Sequence, residues 1–409
     1  MNNNEDGFNE GTISKKSGSK SEFLIFLIGI FSSILVFINP SNPVFGFSAI
    51  VLALIVVWFI LLGNKLRVQK SLFIPLAIIW SIYFYHWFMS PTDIIANIRT
   101  PVYILSTIVW VLILPQLINS RQFIDSLSVL GSIFVLVGLP SIVTGRYLIG
   151  PLEITAFHSM IDFPISIELY KMKSIFANPN SFGVFMLGSV LSCVGYYIRQ
   201  RNLLSIIMLF LSSTGLFLSN SRGAMIGTIA GIFIIISYMY GGPFILRLVT
   251  ITGTLASIVF MLSVLRILPI PIVETLDMTG RDQIWRGTAR AILDRLVLGY
   301  GPGDTGNYAE SYIQGRYAGL QPHNSYLRLF LTTGLIGGLS YLIMIGKTAL
   351  DTMKVISDST EVVIFAIFCA ILVNQVFAGD SLFGLSSSSA IGAIALGFSA
   401  KFVRAHLQG

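Results

Sequence analysis

Charge is what this sequence has least of. Of 409 residues, 11% are charged and 54% are hydrophobic, with a mean hydropathy of +0.80. Soluble domains carry roughly 25% charged residues, so this composition excludes an ordinary soluble domain and predicts a polytopic membrane protein. Cysteine is nearly absent: Cys193 and Cys369 lie far apart inside apolar runs and read as buried free thiols. Paired acids are missing too. The early NPSNP loop has none, the next loop has only Asp93, and Glu274, Asp277, Asp282, Asp294, Asp304 and Glu310 are spread without ligand-like spacing. Neither a metal site nor a cofactor is expected. The net charge is +7, but the basic residues stand singly in short loops instead of forming a patch. That pattern argues against nucleic acid and for topology signals and anionic headgroups or phosphates.

What the sequence does contain is a series of apolar runs, each close to the roughly 20 residues a helix needs to cross hydrocarbon. They fall at 23–38, 44–63, 72–89, 101–118, 122–143, 180–198, 203–219, 221–240, 244–267, 324–346, 360–378 and 384–402. The expected fold is all-α, with about twelve transmembrane helices. Residues 1–22 read as a disordered polar tail, and the first run is a retained helix, because no small-residue cleavage site follows it. The organisation is then helices one to nine over 23–267, a large loop over 268–323, three further helices over 324–402 and a tail over 403–409.

Loop charge sets the orientation. With the N-terminus inside, one side receives Lys15, Lys16, Lys20, Lys65, Arg67, Lys70, Arg121, Arg199, Arg201, Arg247, Lys347, Lys354, Lys401 and Arg404. The short loops of the other side hold Arg99 and Arg222. This predicts cytoplasmic termini in the cytoplasmic (inner) membrane, with the longer segments 144–179 and 268–323 on the extracytoplasmic face. Those segments are themselves basic: Arg146, Lys171 and Lys173 in the first; Arg281, Arg286, Arg290, Arg295 and Arg316 in the second. An outer face rich in arginine suits an anionic ligand.

Within the second segment, TGRDQIW resembles a helix start, with Thr279 and Asp282 spaced as a capping box. Ile284, Trp285, Thr288, Ala289, Ile292, Leu293 and Leu296 share one helical face, leaving Arg281, Arg286, Arg290 and Asp294 elsewhere. The pattern predicts an amphipathic helix on the outer membrane surface, ended by GYGPG. Its free N–H groups beside Arg281 suit a phosphate, although a plain interfacial helix touching lipid headgroups has the same pattern. His323 and Asn324 then open the next apolar helix, whose Gly334 and Gly337 permit close helix approach. A histidine at that boundary is able to accept a proton from a hydroxyl. Arg222 occupies a very short turn between two apolar helices, where an arginine either binds a ligand or snorkels to headgroups.

Lys171 and Lys173 precede IFANPNS and add positive charge near that face, as ordinary loop lysines also would. Asn178 and Asn180 flank Pro179, with Asn180 or Ser181 expected as the helix cap. Tyr300, Tyr308, Tyr312, Tyr317 and Tyr326 fit either sugar stacking or an interfacial aromatic belt. His86, among aromatics at a helix end, reads as structural.

Four motifs carry a resemblance: IFANPNSFG, SNSRGAMIG, TGRDQIW with the later GYGPG, and HNSYLRLFLTTGLIG, which is His-Asn, nine residues, then Gly-x-x-Gly. In this order they resemble the O-antigen ligase and O-antigen polymerase superfamily, over roughly Ser174 to Gly338. The apolar N-terminal third matches only in character. The resemblance implies a membrane glycosyltransferase that moves a glycan from a polyprenyl-diphosphate carrier to an acceptor at the outer face of the membrane. The acceptor is a lipid-core sugar in the ligases, a second lipid-linked repeat in the polymerases and a protein side chain in related oligosaccharyltransferases. It implies that Arg222 and Arg281 hold the diphosphate, that His323 is the general base and that Asn324 orients the hydroxyl or the substrate. Arg286, Arg290 and Lys173 are further candidates for substrate binding. The alternative is a transporter or flippase of lipid-linked oligosaccharide, since about twelve helices is also a common transporter layout. Against it, the spans carry few ionisable residues near their centres, and no matching pair of Gly/Pro-broken helices stands in the two halves.

Overall fold

The computed structural model describes residues 23–30, 42–89, 94–150, 152–161, 166–274, 278, 280–379 and 381–408. The N-terminal tail, the second half of the first apolar run, Asp93, Asp277 and the Thr279 of the expected capping box lie outside them.

After a helical stretch at 23–30, the long helices are α1 (Asn42–Leu61), α2 (Lys70–Met89), α3 (Ile94–Thr107), α4 (Ser120–Gly138), α5 (Pro179–Gln200), α6 (Leu203–Ser219) and α7 (Arg222–Val264). They are followed by α8 (Arg281–Asp294), α9 (Ser325–Val355), α10 (Ser359–Asn374) and α11 (Ser387–Gln408). A π-helical stretch, Ile108–Ile113, and a last turn, Leu114–Leu117, prolong α3. Seven of the described helical segments are long and apolar enough to cross a membrane, and three shorter apolar helices accompany them. The molecule is thus a predominantly helical, polytopic membrane protein.

The chain departs from an all-helical plan in one place. Residues 146–171 form two antiparallel hairpins, β1 (Arg146–Ile149) with β2 (Leu152–Thr155) and β3 (Phe157–Ile161) with β4 (Ile167–Lys171). These strands are only four or five residues long; β2 and β4 do alternate apolar with polar residues, but β1 and β3 do not, so the period-2 signal is confined to one strand of each hairpin. The apolar runs expected as separate spans, 221–240 and 244–267, form the two helical halves of α7, and both reach Phe377: Gly223 packs on it and the Phe260 ring lies 5.9 Å from its ring. The α7 helix breaks at Gly242, with φ 65° and ψ −166°, next to Pro243. The last helix continues through residues 403–408.

The core is built around α10. Its residues from Val362 to Ile371 are all buried on every side, as expected of a helix that is apolar all round. α7 reaches it through small residues. Gly223, Gly227 and Gly231, four apart, face Asn374, Ala370 and Ala366, also four apart. A Cβ on Gly227 would fall 2.6 Å from the Ala370 carbonyl oxygen, so only glycine lets the two backbones come this close.

A second close approach fixes the site. In α9 the helix is interrupted at Gly334 (φ 63°, ψ −164°), and the backbone of 296–301 fills the break. Leu335 and Ile336 donate to the carbonyls of Leu296 and Val297 at 2.6 and 3.3 Å; Tyr300 and Gly301 donate to Leu331 and Thr332 at 2.9 and 2.8 Å. Bonds lost within the helix are thereby replaced across it. A Cβ at Gly334 would lie 2.3 Å from the Val297 carbonyl oxygen. Gly337 instead faces Ile82 of α2. The GxxG pair therefore serves two different approaches, and GYGPG is seated in α9 itself.

A candidate active site around the segment between the last two helices

α10 ends at Asn374, and the next helix begins at Ser387. The intervening chain gathers three helices, α7, α8 and α9. Asn324, fully buried, caps α9 by accepting from Leu327 N at 3.0 Å, and its Nδ2 donates to the Val376 carbonyl at 3.0 Å and to Met261 Sδ at 3.4 Å. Ser325 donates through N to the Gln375 carbonyl (2.9 Å) and through Oγ to that of Ala378 (2.7 Å). Arg281, at the start of α8, donates from Nη1 to the Phe377 carbonyl at 3.3 Å. Gly223, beside Arg222, packs on Asn374 and Phe377.

His323 stands one residue before the Asn324 cap, exposed, with φ 44°. That left-handed conformation is uncommon for a residue with a side chain. Its Cα lies against Gly379. The preceding Pro322 carbonyl accepts from the indole N–H of the fully buried Trp285 at 2.7 Å. α8 thus grips the peptide next to His323 while its own N-terminus presents Arg281.

Arg222 is exposed at the first position of α7, just after a left-handed Asn220. The turn before it presses on the start of α5, where a Cβ at Gly183 would fall 2.4 Å from Ser221 Cβ. There Asn178, and neither Asn180 nor Ser181, is the cap, with Oδ1 accepting from Ser181 N at 2.9 Å. Proline at the first helical position explains this, because it leaves the preceding Asn extended and free to reach forward. Arg281 is held below the ordinary arginine value, first by burial and then by the positive charge of Arg222. Two like charges thus share one locality. Lys173 follows β4, one residue after Met172 N donates to the Leu218 carbonyl at 2.8 Å. Its ammonium is lowered by burial, with Glu153 opposing.

Other expectations meet different surroundings. Arg286 is paired with Asp282 at 2.6 Å, one turn away, so its charge is already engaged. Arg290 is exposed. The N-cap of α8 is Gly280, with no side-chain bond to the helix, so Asp282 serves Arg286 and not a capping box. Ile284, Trp285 and Thr288 are buried as the helical face requires, whereas Leu293 and Leu296 are exposed where the helix ends. His86 is structural: buried, with Nε2 2.8 Å from the Leu298 carbonyl and its ring against Gly301. Cys193 and Cys369 are buried free thiols. Among the described residues no three His, Cys, Asp or Glu side chains gather as metal ligands.

Sequence reasoning overlooked Arg328. Its Nη1 donates to the Gly379 carbonyl at 2.8 Å and its Nη2 to Tyr103 Oη at 3.3 Å, and it lines a small pocket with Tyr83, Tyr103, Gly303, Thr332 and Ser381. The available signal was a cation one turn inside an apolar spanning helix.

A polytopic helical membrane protein with a basic, histidine-bearing site at one end of its bundle is the class this geometry defines. Residues 207–342 match the family model described as O-antigen ligase. The resemblance to the O-antigen ligase and polymerase superfamily therefore holds for the segment that contains Arg222, Arg281, His323 and Asn324. The chain is also similar to one in a solved structure described as a peptidoglycan synthase complex coordinating polymerization and crosslinking. Identity there is 14%, coverage is 84% of this chain and 100% of that one, and the TM-score is 0.43. No curated protein matches the chain.

Proposed function

We propose that this protein is a membrane glycosyltransferase that polymerises or ligates a surface polysaccharide, taking a glycan from a polyprenyl-diphosphate carrier at the extracytoplasmic face of the cytoplasmic membrane. The observation that carries the reading is the meeting of Arg281, the start of α7 beside Arg222, and the His323-Asn324 entrance of α9 on one segment, 374–379.

The chemistry asks little more than these groups. A hydroxyl oxygen of the acceptor attacks the anomeric carbon while the bond from that carbon to the diphosphate oxygen breaks. His323 takes the hydroxyl proton, and Arg222 and Arg281 balance the charge that grows on the departing diphosphate. Guanidinium suits this role because its planar fork matches phosphate oxygens. Attack opposite the leaving group inverts the anomeric centre. Asn324 acts as a positioning residue, since its amide is spent on Val376 and Met261 and on the cap that fixes the backbone next to His323. The reaction proceeds without a metal.

The test is transfer by purified protein supplied with a polyprenyl-diphosphate-linked glycan and candidate acceptors, with and without chelator. His323→Ala is expected to lose about 10²- to 10⁴-fold in rate, chelator to change nothing, and the product ladder to separate polymerase from ligase. Transfer at the parental rate by His323→Ala would remove the general-base role. Carrier movement across vesicles without any transfer would favour a flippase.

A further inference from the structure

At the other end of the bundle from His323, α2, α3 and α11 form the walls of a shallow pocket that is open to the surroundings. The polarity of α3 shows the separation. Tyr103 touches Arg328 on the catalytic side, whereas Pro115 and Gln116 line this pocket, about 18 Å further along at 1.5 Å per residue. Three cations converge there: Arg67, Lys401 and Arg404. Lys401 Nζ donates to the carbonyls of Pro115 (2.7 Å) and Ile118 (3.4 Å), the unsatisfied C-terminal end of α3. Arg404 Nη1 donates to the Arg67 carbonyl. No acid lines the pocket, and none of the three enters an ion pair among the described residues. The remaining wall is mostly apolar, with Leu72, Val111, Leu112 and Pro115 on it, and includes the amides of Gln69 and Gln116.

Three positive charges held together without a counter-charge repel one another, so the fold holds an arrangement that an anion would stabilise. The wall says which kind. A free anion has no use for a half-apolar lining, while an amphiphile places its phosphate on the cations and its glycerol and first methylenes on the leucine, valine and proline side chains. Basic pockets between helices at a membrane face recognise lipid headgroups in this way. We propose that Arg67, Lys401 and Arg404 form a binding site for one anionic phospholipid, at the membrane face opposite the catalytic groups.

The test uses the full-length protein purified in detergent, titrated with phosphatidylglycerol, phosphatidylcholine or inorganic phosphate and followed by native mass spectrometry and thermal unfolding. Arg67 is the variant of choice, because its side chain is exposed while Lys401 and Arg404 hold the backbone. Phosphatidylglycerol is expected to remain bound to the parent; Arg67→Gln should weaken it about fivefold and Arg67→Gln with Arg404→Gln about 25-fold, at roughly fivefold per cation. Arg201→Gln, an exposed cation outside the pocket at the same end, should leave binding unchanged. Equal binding of phosphatidylcholine, or an equal loss in Arg201→Gln, would overturn the proposal. Inorganic phosphate binding as tightly as phosphatidylglycerol would reassign the pocket to free anions and overturn it as well. None of these readouts depends on glycan transfer.

Discussion

Arg281 concentrates the electrostatic problem of the site into one side chain. A cation whose pKa is lowered in the fold is disfavoured there in its charged form. Arg281 nevertheless stays charged at any working pH, so its burial and the nearby Arg222 cost stability throughout the neutral range, a cost lost only at pH values far above it. An anion bridging the two offsets that cost. Pyrophosphate, which has the diphosphate of the proposed carrier without its lipid, is therefore expected to raise the unfolding temperature of the parent. Arg281→Gln should unfold no earlier than the parent without ligand, yet bind pyrophosphate roughly 10- to 100-fold more weakly, as expected when one charged hydrogen-bonding partner is removed. Thermal unfolding across a pyrophosphate titration reads both quantities. An unchanged affinity in the variant would take Arg281 out of the anion site. Asn324 belongs to the same scale but fails differently. Asn324→Ala removes a cap worth about 1 kcal/mol and leaves the buried Val376 carbonyl without its donor, at about 1–3 kcal/mol more. Its loss should appear as lower thermal stability together with slower transfer, whereas His323→Ala, at an exposed side chain, should slow transfer with little change in unfolding.

The break in α9 is where one element is completed by another. Leu296–Gly301 supplies the backbone partners that the helix forgoes at Gly334, and the same stretch continues α8, whose Trp285 holds the Pro322 carbonyl. Gly334→Ala must adopt a left-handed φ and displace the Val297 carbonyl. Strain of about 1–3 kcal/mol is then joined by a backbone clash that no rotamer relieves. The expected outcome is poor folding yield, or a protein in which protease reaches the 296–321 segment faster than in the parent. Full stability in Gly334→Ala would show that the break closes without consequence. Gly337→Ala crowds Thr333 Cβ and Oγ1 at 2.3 Å but needs no left-handed φ and displaces no carbonyl, so it should be milder than Gly334→Ala. The sequence marks both glycines but not this difference: helix-like periodicity continues through Gly334, and the segment that fills the break ends 33 residues upstream of it in the chain, at Gly301. The two halves of α7 were easier to read, since Gly242-Pro243 both ends the apolar pattern and breaks the helix. The 375–386 segment was hidden inside apolar runs, because what marks it is its backbone carbonyls, and carbonyls leave no trace in side-chain patterning. Arg222, Arg281 and His323 were legible through residue type at helix boundaries, where charge next to hydrocarbon demands a reason.

On the scale of the whole molecule, both sites stand on one polarity of the bundle. His323, Gln321 and Ala318 belong to one end, and Asn64, Arg67 and Arg201 to the other, since α2 and α3 run between them and α5 runs from the Ser221 turn to Arg201. Most cations that the sequence puts in short loops, among them Lys65, Arg67 and Arg201, stand at the second end, which the positive-inside tendency assigns to the cytoplasm, whereas Arg99 and Arg222 stand at the first. A chain in which the His323 end faced inward would bring Arg222 and Arg281, proposed to hold the carrier, to the wrong leaflet for surface assembly and leave the Arg67 pocket facing out. The orientation can be read directly by removing Cys193 and Cys369, both buried, and introducing single cysteines at exposed positions. Gln321→Cys and Ala318→Cys are expected to react with a membrane-impermeant maleimide in intact cells, and Asn64→Cys and Arg201→Cys only after permeabilisation. The reverse pattern would invert the topology and, with it, the glycosyltransferase reading of His323; labelling of all four from outside would mean that the two ends do not lie on opposite faces. Because the positions are paired at each end, a single unreactive cysteine cannot decide the result, and the membrane itself separates the two orientations.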